Sequence, residues 1–341
     1  MADRKLRVGV IGLNMGAGHA VNYKTLPNAE LAAICDISKS WLDHCQKEWN
    51  VPLAFTDYKE LLGRDDIDAV SIAVPTLQHA SMTIKALKAG KHVLVEKPMA
   101  VNAEEAREMA AVAKAAGLTL MVSYNQRFGP DIIFLKRYIE EGHLGDIYFV
   151  RTIWRRPMGM LPVPMMTRPN GEVYNRNWFN EADKGGGVAK DLGAHVIDIA
   201  MWLIGYPEVQ DVVGKTYNVF LPEFLEGKGV ASDADDHSVG FVRFNNGISL
   251  QFEASFGSYS ESEYIATEIF GSKGGVLRVQ GQTPKLFSKV SNSFTTILPR
   301  LDEEATCTQK EFVNAVLEGR EPIVTADQGI AVTRIIDGIY G

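Results

Sequence analysis

Short apolar runs alternate with longer amphipathic stretches through the first 124 residues, and this alternation constrains the fold more than any other feature of the sequence. Runs of Val, Ile and Leu this short are typical of strands buried on both faces, whereas the stretches between them have the spacing of helices. Because parallel strands need crossover connections, the pattern predicts a doubly wound parallel sheet with helices on both faces. The predicted strands are 6–12, 31–36, 69–74, 92–96 and 118–123, and the predicted helices are 17–26, 38–49, 57–63, 76–89 and 102–116, with Ser38 and Asn102 as caps.

The rest of the chain has a different pattern, in which strands dominate. Segments 245–247 (Asn-Asn-Gly) and 272–275 (Ser-Lys-Gly-Gly) are typical of hairpin turns, so we expect a large, mainly antiparallel sheet. The length of 341 residues favours two domains. We therefore predict an α/β domain over 1–124 and an α+β domain over 125–341, the latter with helices 131–141, 187–204, 303–318 and 325–339 and strands 146–155, 209–219, 236–245, 248–257, 265–271 and 275–280.

Composition excludes several classes of function. The net charge of −7 provides no basic field for nucleic acid or an anionic membrane, and no apolar run approaches the roughly 20 residues that span a bilayer. The segment 1–13 is interpreted as a first strand with charges before it, not as a signal peptide. The cysteines Cys35, Cys45 and Cys307 lack CxxC spacing, and no HxxxH motif or carboxylate cluster occurs. We therefore expect a cytoplasmic protein without disulfides or a metal.

A glycine-containing turn follows the first strand directly, over residues 12–19 (Gly-Leu-Asn-Met-Gly-Ala-Gly-His). Gly12 is expected to make the tight turn and Ala17 to be the small residue that lets helix and strand pack closely, while backbone N–H groups face a pyrophosphate. Asn14 replaces a glycine of the dinucleotide fingerprint, and asparagine tolerates positive φ. Its amide, with the neighbouring Met15, is expected to lie near the phosphates.

Asp36 ends the second predicted strand, 19 residues after Ala17. A carboxylate there accepts hydrogen bonds from the adenosine ribose hydroxyls and repels an added 2′-phosphate, which favours NAD over NADP. Ser38 and Lys39 follow and offer groups that bind such a phosphate, so NADP stays open as the less favoured cofactor. The alternative is that the glycines only make a turn and that Asp36 only caps a helix.

The segment 93–98 (Val-Leu-Val-Glu-Lys-Pro) places a charged pair directly after a buried strand, at the sheet edge where ligands bind in doubly wound folds. Pro98 disfavours helical geometry at Lys97 and favours an extended one, which aims the amine away from the sheet. The alternative is an ordinary surface pair of Glu96 and Lys97. His79, in the segment 75–79, is a further candidate to border the cofactor.

A second chemical element lies at 185–203, where Asp191, His195 and Asp198 form one polar stripe on an otherwise apolar predicted helix. Oxidation of a hydroxyl needs a group that accepts the alcohol proton, and imidazole titrates in the useful range. His195 is the candidate base, and Asp191 is the candidate that orients it. The alternative is that Asp191 is a first-turn helix charge and His195 a semi-buried structural histidine.

These motifs together resemble the Gfo/Idh/MocA family, the group of glucose-fructose oxidoreductase and inositol dehydrogenase. The resemblance covers nearly the whole chain and rests on the turn at 12–17, Asp36, AVPTLQH at 73–79, VEKP at 95–98, YNQRF at 124–128 and the segment 185–203.

The resemblance implies a Rossmann NAD(P) domain followed by an open-faced sheet domain that commonly forms the oligomer contact, here a homodimer or homotetramer. It also implies a catalytic trio on Lys97, Asp191 and His195, a cis peptide before Pro98 and Arg127 as a link between the domains. The residues implied to lie near the nicotinamide are Pro75, Thr76, Glu96, Lys97 and Asn125.

The segment 155–178 is rich in proline and methionine and is predicted to be irregular. It either covers the substrate or packs as an arm on a neighbouring subunit. The substrate-binding candidates are Lys97, Tyr124, Arg155, Arg156, Trp178, Asp191 and His195; the arginines suit a carboxylate or phosphate.

The function predicted from these residues is hydride transfer between NAD and a secondary hydroxyl of a sugar, cyclitol or sugar derivative. A redox-neutral glycosidase that oxidises its substrate transiently with the same trio is a second hypothesis. A nucleotide-sensing regulatory protein without turnover is a third.

Overall fold

The predicted parallel sheet is present in the computed structural model, which describes residues 4–228, 230, 232–291 and 293–341. Residues 1–3 lie outside the described residues, although the predicted domain 1–124 and the segment 1–13 include them. Six parallel strands have the spatial order β3-β2-β1-β4-β5-β6. Of these strands only β3 was missed by the pattern: its three residues are half-buried, whereas the equally short β6 is fully buried and lies within a longer predicted strand. The strands are β1 (Leu6–Ile11), β2 (Ala29–Cys35), β3 (Leu53–Phe55), β4 (Ala69–Ile72), β5 (His92–Val95) and β6 (Leu120–Val122).

Helices connect these strands where the sequence predicts them. The Ser38 side chain accepts from the N–H of Trp41, and that of Asn102 accepts from the N–H of Glu105, so both predicted caps are confirmed. The helices are α1 (Gly16–Thr25), α2 (Lys39–Trp49), α3 (Tyr58–Leu62), α4 (His79–Lys88) and α5 (Ala103–Ala116).

Ten strands and five α-helices follow β6 in the described chain. The strands are β7 (Ile147–Pro157), β8 (Met165–Thr167), β9 (Val173–Asn175), β10 (Val209–Tyr217), β11 (His237–Phe244), β12 (Ser249–Ser258), β13 (Tyr264–Gly271), β14 (Gly274–Val279), β15 (Lys285–Val290) and β16 (Ser293–Ile297). The helices are α6 (Pro130–Glu140), α7 (Ala194–Leu203), α8 (Leu221–Leu225), α9 (Thr308–Glu318) and α10 (Ala326–Tyr340). None of the helices in the described ranges is long and apolar enough to cross a membrane.

An eight-stranded sheet forms the centre of the second part of the chain, in the order β10-β11-β12-β7-β13-β14-β15-β16. Only the β12–β7 pair is parallel, so the prediction of a mainly antiparallel sheet is confirmed. Val150, Leu250 and Ile269 are fully buried on the inner face, where Thr152 hydroxyl donates to the Val196 carbonyl of α7. Strands β15 and β16, the last two at one end of the sheet, were missed because most of their side chains are exposed and give no apolar alternation.

The chain divides into two units, and the first contains more than the 124 residues assigned to it from sequence. It also includes Met165–Arg176 and Cys307–Ile330, whereas the second comprises Asn125–Pro164, Asn177–Thr306 and Ala331–Gly341. Helix α9 is fixed to the first unit by polar contacts: Asn22 donates to Gln309 at 2.8 Å and Asn28 to Asn314 at 2.9 Å. Contacts of this kind join residues nearly 290 positions apart, which no local pattern reveals.

The helix predicted over 187–204 is wrong in its first part. A single wide turn of π-helix occupies Ala189–Gly193, and α7 begins only at Ala194. Gly193 lies where an added Cβ would be 2.9 Å from the Phe252 ring of β12. Of the predicted stripe, Asp191 therefore lies on the π-turn, whereas His195 and Asp198 lie on α7.

Candidate cofactor-binding and catalytic residues

Glycine is required at two positions in the turn after β1. Gly12 has a φ of 87°, and a Cβ there would lie 2.5 Å from the carbonyl oxygen of Ala73. At Gly16 a Cβ would lie 2.8 Å from Val10, so Gly16, and not the half-buried Ala17, is the residue that lets α1 approach the sheet. The backbone therefore has the close approach that a pyrophosphate needs.

Asn14 does not use the positive φ that asparagine tolerates, since among the described residues only Asn50, Tyr206 and Ser291 combine positive φ with a side chain. The Asn14 oxygen instead accepts from Nε of Arg168 at 3.0 Å. Met15 is 57% exposed beside it. At the start of α1, the Met15 side chain makes no capping hydrogen bond within the described chain, and the first turn contains no acidic residue. This helix N-terminus therefore suits an anion.

Asp36 is buried and holds the turn in place. Its Oδ2 accepts from the N–H of Leu13 and its Oδ1 from the N–H of Ser38, both at 2.9 Å. A carboxylate oxygen has two lone pairs, so both oxygens keep capacity for ribose hydroxyls. The position at the end of β2 and these bonds fit the adenosine end of a dinucleotide.

His19 and Glu96 form a buried pair that the sequence analysis missed. Nε2 of His19 lies 2.8 Å from Oε1 of Glu96, and the Glu96 side chain is 12% exposed. Burial opposes ionisation of Glu96, but the hydrogen bond and charge of His19 and the charge of Lys97 lower the pKa of this carboxyl to about 2. Its Oε2 accepts from the N–H of Lys97 at 3.1 Å. The ionised Glu96 thus orients the backbone that carries Lys97.

Lys97 is half-buried after β5, and the peptide bond between Lys97 and Pro98 is cis, as the resemblance implied. His79 is buried, with Nδ1 2.8 Å from the Pro98 carbonyl oxygen and Nε2 2.9 Å from that of Val74. Desolvation lowers the pKa of His79. Both ring nitrogens of His79 therefore face backbone carbonyls, one in the loop after β4 and one in the loop after β5. This geometry favours a role in holding the two loops together rather than direct contact with a cofactor.

Pro75 and Thr76 lie in the first of these loops. Pro75 precedes the short helical turn Thr76–Gln78, which leads into α4. Tyr124 follows β6 and is 1% exposed. These three residues are at the carboxyl ends of β4 and β6, the edge at which ligands bind in such sheets.

In the second unit, Asp191 and His195 lie on the π-turn and the first turn of α7. Both side chains are half-buried, and the Asp191 N–H donates to the Gly187 carbonyl at 3.0 Å. The imidazole of His195 packs against the indole of Trp154 with ring centroids 5.6 Å apart. Trp154 is fixed in turn by a 2.8 Å hydrogen bond from Nε1 to Glu263. This contact restricts the orientation of the imidazole.

Asp235 anchors the beginning of the same turn and was not identified from the sequence. Oδ2 accepts from the N–H of Ala189 at 3.1 Å and from the hydroxyl of Ser238, while Oδ1 accepts from the Tyr340 hydroxyl at 2.5 Å. Gly187, with a φ of 109°, lies so close that an added Cβ would collide with this carboxylate. Burial raises the pKa of Asp235. The triple glycine at 185–187 was the available signal for such a close approach.

Asp198, the third member of the predicted stripe, has a structural position. Arg127 donates to its two oxygens from Nε at 2.8 Å and Nη2 at 2.5 Å, and the Tyr206 hydroxyl donates at 2.7 Å. The guanidinium also lies 4.6 Å from the Trp202 ring centroid. These contacts of Arg127 all lie within the second unit. Asn125, in the adjoining helical turn, lines a cavity of about 590 Å³ in that unit.

The two predicted substrate arginines point to opposite faces of the sheet. Arg155 is paired with Ser255 and Tyr264 in register, and it donates two hydrogen bonds to Glu253 at 2.8 and 3.0 Å. Since side chains alternate along a strand, Arg155 points away from the face of Trp154. This orientation does not support the predicted contact between Arg155 and the substrate, which stays a prediction.

Arg156 lies on the same face as Trp154. Its guanidinium carbon is 5.3 Å from the Trp154 ring centroid, and Nε donates to Glu263 at 3.0 Å. Trp178 is half-buried in the turn Asn177–Asn180, with its ring 5.5 Å from that of Phe179. Arg156 and Trp178 both belong to the second unit, which also carries His195.

The segment 155–178 is less irregular than predicted. It begins with the end of β7 and contains the antiparallel hairpin of β8 and β9, with Met165 opposite Asn175. The hairpin belongs to the first unit. In the described part of the chain, no group of three or more His, Cys, Asp or Glu side chains has a geometry that could hold a metal ion.

Comparison with known families agrees with this geometry. Residues 6–124 match the oxidoreductase family with an NAD-binding Rossmann fold, and residues 132–277 match the Gfo/Idh/MocA C-terminal domain. The scyllo-inositol 2-dehydrogenase (NAD(+)) of Bacillus subtilis (strain 168) is 30% identical, over 95% of this chain and 90% of its own length. The chain belongs to the Gfo/Idh/MocA family. As such it is an oxidoreductase with an NAD-binding Rossmann domain.

Other Gfo/Idh/MocA proteins are similar over the whole length. The D-glucoside 3-dehydrogenase of Escherichia coli (strain K12) is 27% identical over 100% of this chain and 96% of its own. The solved structure of a levoglucosan dehydrogenase in complex with NADH has a TM-score of 0.85 at 24% identity and covers 99% of this chain and 96% of that one. The structural similarity supports the Gfo/Idh/MocA fold.

Proposed function

We propose that the protein is an NAD-dependent dehydrogenase that oxidises a secondary hydroxyl of a sugar, cyclitol or sugar derivative. The observation that carries the proposal is the half-buried position of Asp191 on the π-turn and of His195 in the first turn of α7, where the imidazole packs against Trp154. A histidine whose orientation is fixed by an aromatic ring, one helical turn after a carboxylate, suits proton transfer to and from a hydroxyl.

The first unit is proposed to bind NAD through the turn at 12–16 and Asp36. The pyrophosphate would lie against the backbone of this turn, Asn14 and the start of α1, with Met15 beside it, and Asp36 would accept from the adenosine ribose. The residues proposed for the nicotinamide end are Pro75, Thr76, Glu96, Lys97 and Asn125, with His79 supporting the loops. The carboxylate of Asp36 favours NAD over NADP by repulsion of a 2′-phosphate.

The proposed chemistry assigns one role to each polar residue. His195 accepts the proton of the substrate hydroxyl, and Asp191 orients the imidazole and stabilises its charged form. Lys97 donates a hydrogen bond to the reacting oxygen and stabilises the negative charge that develops there. Bound NAD supplies the hydride acceptor for the carbon that bears this hydroxyl. In the reverse direction His195 returns the proton.

The substrate class is supported by the relatives. The names of the similar proteins describe dehydrogenases of a D-glucoside, levoglucosan and scyllo- and myo-inositol, all of them compounds with several secondary hydroxyls. Aromatic side chains such as Tyr124 and Trp178 suit the apolar face of such a ring, and Arg156 suits hydroxyls or an acidic group.

We further propose a homodimer or homotetramer formed through the outer face of the eight-stranded sheet. Val213 and Phe241 lie opposite each other on β10 and β11 and are 68% and 43% exposed. Light scattering after size exclusion tests this. Phe241→Glu should give a smaller species than wild type, whereas Val21→Glu, at a similarly exposed site on α1, should not. Equal masses for both variants and wild type would reject this interface.

The proposed reaction is tested with a panel of sugars, glycosides and inositols, each incubated with NAD or NADP and followed by the absorbance of the reduced nicotinamide. Reduction of NAD by at least one compound is the expected result. A nitrophenyl glycoside in the same panel separates the redox-neutral hypothesis: release of nitrophenol without accumulation of NADH would favour it over net oxidation.

A further inference from the structure

The hairpin of β8 and β9 lies against the part of the first unit that is proposed to bind adenosine. Its turn begins at Arg168, which is 7% exposed and stacks over Trp41 of α2 and Tyr174 of β9 at 5.5 and 4.7 Å from the ring centroids. The guanidinium donates to Asn14 at 3.0 Å, and its Nη2 is 3.8 Å from Oδ1 of Asp36. Arg168 thus joins the hairpin to the proposed pyrophosphate turn, through Asn14, and to the proposed ribose-binding carboxylate of Asp36.

Glu172 closes the same turn and reaches the first residues of α2. Its two oxygens accept from the hydroxyl of Ser38 at 2.8 and 2.7 Å, and Oε2 also accepts from the hydroxyl of Ser40. Oε1 forms an ion pair with Nη1 of Arg168 at 2.7 Å. The hydrogen bonds from Ser40 and Ser38 and the charge of Arg168 lower the pKa of Glu172, so the group is ionised at neutral pH.

These contacts occupy the groups that would otherwise bind a phosphate. Hydroxyls directly after the ribose-binding carboxylate, together with a buried arginine, form a typical recognition set for a 2′-phosphate. Here both serine hydroxyls donate to Glu172, and the single positive charge of Arg168 faces two carboxylates, Glu172 and Asp36.

We propose that Glu172 is a second determinant of cofactor specificity, which excludes the 2′-phosphate of NADP by occupying Ser38 and Ser40 with a carboxylate. This inference rests on the proposed binding of NAD and extends it, because Asp36 is then not the only charge against NADP. Discrimination arises from a group that is unfavourable for the wrong ligand and harmless for the right one. An unmodified 2′-hydroxyl carries no charge for Glu172 to repel.

Calorimetric titration of the full-length protein with NADH and with NADPH tests the role of Glu172, since the two ligands differ only in the 2′-phosphate. Glu172→Gln removes the charge but keeps a side chain of the same size that bonds to both serines. We expect the Kd for NADPH to fall by at least about tenfold and the Kd for NADH to change by less than about threefold. Glu48→Gln is the control, because it removes an equal charge that pairs with His44 near the other end of α2 and should change neither value.

A ratio of the two Kd values that is the same in Glu172→Gln and wild type would overturn the inference while leaving NAD binding intact. Wild-type protein that binds NADPH as tightly as NADH would overturn both the inference and the proposed cofactor preference. Wild-type protein that binds neither would contradict the proposed function itself. Glu172→Ala provides a second test: because it frees both hydroxyls and Arg168, its Kd for NADPH should also fall.

Discussion

Arg168 donates from Nε to the side-chain oxygen of Asn14 at 3.0 Å and so fixes the turn after β1 to a hairpin more than 150 residues later. The residue that departs from the glycine fingerprint therefore has a partner of its own. Its amide holds the hairpin, while its backbone does not need the freedom of glycine.

The first prediction concerns Asn14→Gly, which restores the usual glycine but removes the acceptor of Arg168. A buried hydrogen bond to a charged group is worth about 1.5–3 kcal/mol, so the hairpin should open more often. Hydrogen exchange of residues 165–176 should accelerate by about tenfold or more. Asn50→Gly is the control, since Asn50 has a φ of 52° that glycine accepts, and it should leave exchange in the hairpin unchanged. Unchanged exchange in Asn14→Gly would refute the anchoring role.

The pair of His19 and Glu96 predicts a pH-dependent stability. Because the pKa of Glu96 is lowered from 4.5 to about 2 in the folded protein, the unfolded chain binds the proton more readily. The stabilisation is therefore fully present above about pH 4.5 and is lost as the pH falls toward 2, with an upper limit of about 3 kcal/mol.

Urea unfolding of wild type and Glu96→Gln between pH 3 and 7 measures this effect. The difference between their midpoints should be largest at pH 7 and should narrow below about pH 4.5. Glu48→Gln is the matched control, because the pair of His44 and Glu48 is far more exposed and should contribute little at any pH. A difference for Glu96→Gln that does not vary with pH would contradict the proposed cause.

The contacts of Asp235 predict that this residue positions the π-turn and, through it, His195. Asp235→Ala removes the acceptor of Ala189, Ser238 and Tyr340 and leaves a cavity beside Gly187, so His195 should be held less precisely. We expect kcat to fall by about tenfold or more, with the Kd for NADH unchanged. Asp235→Asn keeps an acceptor and the same size, and it should restore most of the activity. Equal losses in the two variants would show that the carboxylate charge, not the geometry, matters.

Arg155 and Arg156 form a matched pair on opposite faces of β7. Arg156→Ala should raise KM for the preferred substrate by about fivefold or more, because Arg156 lies on the face of Trp154. Arg155→Ala should leave kcat/KM within about twofold of wild type on both neutral and acidic sugars, since its partner is Glu253. The reverse order of effects would show that the substrate binds on the outer face.

The sequence predicted the elements whose causes are local. Gly12 and Asp36 could be placed because a strand, a turn and a helix follow each other within a few residues, and the apolar runs of β1, β4 and β5 leave no alternative to buried strands. The caps at Ser38 and Asn102 depend on neighbours only three residues away. Such features need no knowledge of the rest of the fold.

Features that depend on tertiary contacts could not be predicted. The buried pairing of Glu96 could not be predicted, because its partner His19 is 77 residues away. The position of Arg155 on the outer face depends on which side of β7 faces α7. The π-turn beside Asp235 follows from the close approach of Gly187, which helical periodicity cannot show. The hairpin lay in a segment whose prolines and methionines indicated irregular structure.

The most direct test of the proposed dehydrogenase is to measure NADH formation from the best substrate of the panel by wild type, Lys97→Met, His195→Asn and the double variant. His143→Asn, an exposed histidine paired with Glu141, is the control. We predict that each single active-site variant loses at least about 100-fold in kcat and that the double variant loses little more, since the residues act as a unit, while His195→Asn binds NADH as wild type does. A double variant that keeps kcat within tenfold of wild type would contradict the proposed mechanism.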